Sequence, residues 1–160
     1  MNFSTAGDLR SLYLPRQSQK FSLLLIFFCC AGAYAESATV EVQGIAASDL
    51  GKKNPSVPAA LAGYKAELLN TNYGTFADAG RQSVKTSSST KGSAAIGKYS
   101  VDIAVTKVEG EPKVVVTINA GGRPIITPIR HRLVSGRRFV LEVGAKDAPT
   151  IFIITVKDTN

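Results

Sequence analysis

Period-two alternation through the C-terminal half constrains this chain more than any other feature. Tyr99, Val101, Ile103 and Val105 alternate with Ser100, Asp102, Ala104 and Thr106. After Glu109-Gly110-Glu111-Pro112, Val114, Val116 and Ile118 alternate with Val115, Thr117 and Asn119. Such runs, separated by short glycine-containing turns, read as antiparallel strands with one buried face. Ala120-Gly121-Gly122-Arg123 marks the next turn. Beyond it, Ile125, Thr127, Ile129, His131 and Leu133 fall on one face of a strand and Ile126, Pro128, Arg130 and Arg132 on the other. Pro128 cannot donate to a ladder, so this strand is expected at a sheet edge or bulged. Phe139, Leu141 and Val143 alternate again after Ser135-Gly136, and residues 150–156 (TIFIITV) are apolar on both faces. A run of that kind belongs in the middle of a packed sheet.

The N-terminal half is less regular. Residues 39–45 read as a strand, and residues 48–58, polar and holding two prolines, as a loop. Leu61, Tyr64 and Leu68 lie on one helical face, predicting a helix of about three turns over residues 59–70. Residues 75–79 and 82–86 read as two brief strands, and the serine-rich residues 87–93 as a surface loop or hairpin tip. The fold class expected is mainly β: an antiparallel β-sandwich or partly open barrel of about eight short strands with one short helix.

The first 35 residues have the order of a cleavable export signal: Arg10, Arg16 and Lys20, then the apolar residues 21–31, then Ala33-Tyr34-Ala35. The apolar run falls short of the ~20 residues of a membrane-spanning helix. Cleavage after Ala35 leaves residues 36–160 as a single β-rich domain, periplasmic or secreted, with no stable membrane insertion. Cys29 and Cys30 leave with the leader, so disulfides and thiolate metal sites are not expected in the domain. The whole chain carries 19 Lys+Arg against 12 Asp+Glu. Three of these basic residues and one acid lie in the leader, so the domain stays basic and suited to anionic surfaces.

Catalytic and cofactor signatures are missing from the sequence. His131 is the single histidine, and its parity turns it toward the core, as a structural histidine. A hydrolase using it with an unidentified serine or carboxylate is an alternative, but no G-x-S-x-G elbow is present. No cofactor or metal is expected. Nucleic acid is not expected as a partner of an exported chain without exposed aromatic residues for stacking.

The candidate binding residues are Arg123, Arg130, Arg132, Arg137 and Arg138. The turn at Ser135-Gly136 is expected to bring Arg138 alongside Arg130 and Arg132 on a neighbouring strand. Arginine's planar donor fork suits carboxylate, sulfate or phosphate; equally, charge on an edge strand protects it from aggregation.

The succession Ile96-Gly97-Lys98-Tyr99, Gly121-Gly122-Arg123-Pro124-Ile125, Ser135-Gly136-Arg137 and residues 150–158 resembles small, uncharacterised exported β-rich proteins of bacteria. Leu68-Leu69 followed by Tyr73-Gly74-Thr75-Phe76 is similar to theirs. The resemblance implies no activity and no functional residue. The expected role is a non-enzymatic binding or structural module of the bacterial envelope. It would contact an envelope protein or an anionic polysaccharide through a sheet edge and the arginine face. A lipid- or ligand-carrying barrel is a further alternative.

Overall fold

The computed structural model describes residues 37–51 and 54–160; the export signal expected over residues 1–35 lies outside the described residues. Eight strands are present among the described residues: β1 (Ser37–Leu50), β2 (Tyr73–Ser87), β3 (Gly92–Ile96), β4 (Tyr99–Val108), β5 (Glu111–Ala120), β6 (Arg123–Arg132), β7 (Arg138–Ala145) and β8 (Ala148–Thr159). They form two four-stranded antiparallel sheets, β2-β1-β8-β7 (sheet A) and β3-β4-β5-β6 (sheet B). The architecture is a β-sandwich and not a closed barrel. No helix among the described residues is long and apolar enough to cross a membrane.

The alternating residues read from the sequence fill the space between the sheets. Val101, Ile103, Val105, Val114, Val116 and Ile118 of sheet B meet Val40, Val42, Phe152, Ile154 and Val156 of sheet A. Tyr99 packs edge-to-face on Phe152, with ring centroids 5.6 Å apart.

Strand β8 is central in sheet A, as its two apolar faces require. Its outward residues Ile151 and Ile153 join Ile45 and Ala47 in a second apolar cluster on the outer face of that sheet. Leu61, Tyr64 and Leu68 cover this cluster. The segment bearing them is a 3₁₀ helix (Ala59–Tyr64) followed by one α-turn (α1, Lys65–Leu69), where the sequence predicts a helix of three turns. The tighter 3₁₀ winding aligns residues three apart, which sets Leu61 directly over Tyr64 on the sheet.

Two strands are longer than their patterns suggest. Strand β1 runs on to Leu50, into the expected loop, because β2 continues to pair with it as far as Leu50↔Tyr73. Strand β2 is one strand where two were expected. Its alternation breaks at a bulge, since Gly44 pairs with Gly80 and Ile45 with Asp78, leaving Ala79 extra. Gly80 sits at φ +126°, and Asp78 Oδ1 accepts from Gly80 N at 2.8 Å and from Gln43 Nε2 at 2.7 Å.

Strand β6 is both an edge and bulged, as Pro128 predicts: Val116 pairs with Ile129 but Ile118 with Ile126, and the register shifts again before Asn119, which pairs with Pro124. The extra residue reverses the parity, so Ile126 packs on the core while Ile125, expected inside, is 45% exposed.

Where β2 passes from sheet A toward β3, the two backbones press together. A Cβ on Gly92 would lie 2.0 Å from Val84 Cγ1 and 2.9 Å from the Lys85 carbonyl oxygen. Backbone cannot yield as a side-chain tip can. Gly92→Ala is therefore expected to lower unfolding free energy by roughly 1–3 kcal/mol, the range for overpacking, in urea titrations followed by circular dichroism.

Candidate functional site

The outer faces of the two sheets differ in what covers them. That of sheet A lies under its own helix. That of sheet B carries the residues alternating with the core set: Ser100, Asp102, Ala104, Thr106 and Val108 on β4, and Lys113, Val115, Thr117 and Asn119 on β5, all half-buried. A groove of ≈ 580 Å³ runs over the part of this face from Asp102 to Val108 and over Val115 and Thr117. Ala104, Thr106, Val115 and Thr117 form its floor, Lys91 one wall, and Pro128 with Arg130 the other. The walls stand three strand spacings apart, about 14 Å. Among the described residues, neither Lys91 nor Arg130 is held in an ion pair. Lys113 and Arg132 face each other in register beside the groove, and Arg132 Nη2 lies 3.6 Å from Glu111 Oε1.

A second hollow, ≈ 480 Å³, lies between the turns at Gly97-Lys98 and Gly121-Gly122 and shares Asp102 with the first. The Asp102 carboxylate accepts three hydrogen bonds: Oδ1 from Ser93 Oγ at 2.8 Å and Ser100 Oγ at 3.2 Å, and Oδ2 from Asn119 Nδ2 at 2.7 Å. The two hollows thus form one trough along β4 and β5, with Lys91 and Arg130 at one end and Lys98 beside amide and hydroxyl groups at the other.

The five arginines do not share a face. Arg130 and Arg132 are on the outer face of sheet B, opposite Val115 and Lys113. Arg123 starts β6, opposite Ala120. Arg137 is exposed in the connection after β6. Arg138, expected beside Arg130, is on sheet A instead. Residues 133–137 do not close a hairpin. They carry the chain across the sandwich, with Leu133 N donating to the Pro112 carbonyl of sheet B and Gly136 N to the Val156 carbonyl of sheet A. Arg138 Nη1 donates to the Gly63 carbonyl and to Glu67 Oε1, both at 2.9 Å, and its guanidinium lies 5.3 Å from the Tyr64 ring centre. This arginine clamps the helix. Burial disfavours ionised Glu67, but the Arg138 hydrogen bond and charge prevail and hold its carboxyl below the ordinary value.

A second polar cluster, invisible as such in the sequence, lies under the same helix. Glu41, only 7% exposed, accepts from Tyr64 Oη at 2.8 Å, pairs with Arg81, and lies 3.4 Å from Lys157 Nζ. Burial opposes its ionisation, yet the hydrogen bonds from Arg81 and Tyr64 and the charges of Arg81 and Lys157 outweigh that and keep its carboxyl below the ordinary range. Parity alone marks Glu41 as outward-facing. Nothing local reveals that a helix from residues 59–69 will cover it.

His131 faces the core side, opposite Val114, with its ring stacked on Phe139 at 4.3 Å and 18°. Burial, then the nearby Arg137 charge, pushes its pKa down. Among the described residues, no three His, Cys, Asp or Glu side chains gather to hold a metal ion.

These shifts set the pH dependence of stability. The unfolded chain protonates His131 more readily than the folded one. Its contribution is therefore complete above the ordinary value of 6.5 and declines as pH falls below it. Glu41 and Glu67 have folded pKa values below the ordinary 4.5, so what they contribute is present above 4.5 and is lost as pH falls through the folded values. Melting temperatures across this range are expected to fall in two stages on acidification. His131→Leu should abolish the first stage and Glu41→Gln should shrink the second.

A scan against protein-family models and searches of curated proteins and of solved structures find no match to this chain.

Proposed function

We propose that this protein is an exported, non-enzymatic binding module of the bacterial envelope whose partner is an acidic polysaccharide seated on the outer face of sheet B. One observation carries this reading: the groove between Lys91 and Arg130 is walled by cations from the two ends of the sheet, neither of them held in an ion pair among the described residues. The floor of threonine, alanine and valine is smooth and half-buried, a surface on which an extended chain can lie. Lys113 and Arg132 extend the positive field beyond the groove, and fields of one sign concentrate polyanions of the other. The trough continues to Asp102, Ser100 and Asn119, groups able to exchange hydrogen bonds with sugar hydroxyls. Arg138 is not part of the surface, being committed to the helix. His131 faces inward, away from the groove.

The test is calorimetric titration with polygalacturonate, using neutral dextran as control. Binding to polygalacturonate alone is expected, weakening as salt screens the charges. Lys91→Glu with Arg130→Glu should cost at least about tenfold in affinity, ~1.4 kcal/mol, whereas Arg123→Glu with Arg137→Glu, outside the groove, should cost little. Equal losses from the two pairs, or no binding by the parent protein, would reject the site.

A further inference from the structure

Each sheet of the sandwich ends in two edge strands, and three of the four are blocked among the described residues. Strand β3 is closed by a side chain: the Gln82 amide donates to the Ala95 carbonyl at 2.9 Å and accepts from Ala95 N at 3.1 Å, as a neighbouring strand would. Strand β2 is flanked by β3 along one part, and Ser56 bridges to Thr75 along another, its N donating to the Gly74 carbonyl at 2.9 Å. Strand β6 is interrupted by Pro124, Pro128 and two register shifts. These are the usual devices that prevent edge-to-edge pairing.

Strand β7 has none of them. Its eight residues, RFVLEVGA, include no proline or lysine, and its register with β8 is unbroken. The Val156 N–H donates to the Arg137 carbonyl at 2.9 Å, which sets the phase of the ladder. By alternation, Phe139, Leu141 and Val143 bond to β8, and the backbone groups of Arg138, Val140 and Glu142 point off the sheet. On the outer face, the same three residues place a cation, an apolar side chain that is 40% exposed, and a carboxylate in a row.

We propose that β7 is a self-association edge, through which two copies of this chain pair antiparallel about a two-fold axis at Val140. In that register Arg138 stands opposite Glu142 of the second copy, twice, and the two Val140 side chains meet at the axis. Cross-strand pairs of these kinds stabilise a sheet, and one patch serves both copies, as two-fold symmetry demands. A slip of two residues either way sets Arg138 against Val140 or Gly144, and a slip of four opposes like charges. A slip by one residue would turn inward side chains outward. Arg138 keeps its bonds to the helix through Nη1, since a guanidinium has further donors, and Glu142 can accept from both Tyr73 and the second copy.

Sedimentation equilibrium on the protein, without polysaccharide, tests this independently of the groove. A reversible doubling of mass with concentration is expected. Val140→Lys, which sets two ammonium groups at the axis, should hold the protein monomeric with an unchanged circular dichroism spectrum. Glu142→Arg alone should weaken the dimer at least about tenfold. Mixing the Glu142→Arg chain with an Arg138→Glu chain should restore it, because every cation then meets a carboxylate. A parent protein that stays monomeric at all concentrations overturns the proposal. So does a dimer whose affinity is indifferent to Glu142→Arg and Val140→Lys. Should Val140→Lys, or Arg138→Glu, which removes the clamp on the helix, fail to fold, Glu142→Arg alone decides the matter.

Discussion

Strand β8 is buried on both faces, and each face serves a different layer. Phe152, Ile154 and Val156 enter the space between the sheets, while Ile151 and Ile153 enter the layer under the helix. Fully burying an aliphatic or aromatic side chain contributes about 1.5–3 kcal/mol, so this one strand supplies much of the apolar stabilisation of both layers. Its outward face cannot be left wet. The helix over residues 59–69 exists in the fold to cover it, although five α-helical residues could not hold helical form alone. Once that cover is in place, the apolar centre of the outer face of sheet A lies under the chain itself. The outer face of sheet B, whose floor is threonine and small aliphatic side chains, is the one left to meet the outside.

The cover is fastened by charge as well as by apolar contact. A carboxylate as buried as Glu41 is costly unless it is paired and hydrogen-bonded. It is satisfied by groups from three separate parts of the chain: Tyr64 on the helix, Arg81 on β2 and Lys157 on β8. Arg138 completes the fastening from β7 by holding Gly63 and Glu67. Thr155 lies in register with both Glu41 and Arg138, and among the described residues its buried Oγ1 has no hydrogen-bond partner. Removing Glu41 would leave the buried Tyr64 hydroxyl without its acceptor, which couples the helix to the sheet more tightly than its length suggests.

Strands whose neighbours are local were legible from alternation. Strands β4 and β5 appear where the sequence places them, and β8 is central because it has no polar face. Bulges defeated the same reading. One extra residue at Ala79 made β2 look like two strands, and another near Pro128 exchanged the roles of Ile125 and Ile126. The arginine cluster failed for a different reason. A five-residue connection can close a hairpin or cross a sandwich, and the choice depends on whether β6 or β8 offers the partner for β7. That is a long-range matter, and it sends Arg138 to the far sheet. The groove was half legible. Parity put Arg130 on an outward face, but Lys91 sits in a serine-rich segment whose position is fixed only when β3 docks beside β4.

The two proposed surfaces reinforce each other through symmetry. A two-fold axis relating antiparallel strands of a continuous sheet stands perpendicular to that sheet. Both copies of sheet A would then face one side with their helices, and both copies of sheet B would face the opposite side with their grooves. A long acidic chain reaching one groove would find the second close by, so the second contact is made at an effective concentration set by geometry and not by bulk protein. Weak single-site binding, which is what a smooth groove with two cationic walls offers, becomes useful when doubled in this way. The same arithmetic makes self-association responsive to the polymer, since a chain bridging two grooves favours the dimer by as much as the dimer favours the chain. An edge strand left without proline, lysine or bulge then has a physical reason to be open: closing it would leave the groove intact but reduce it to one contact per chain.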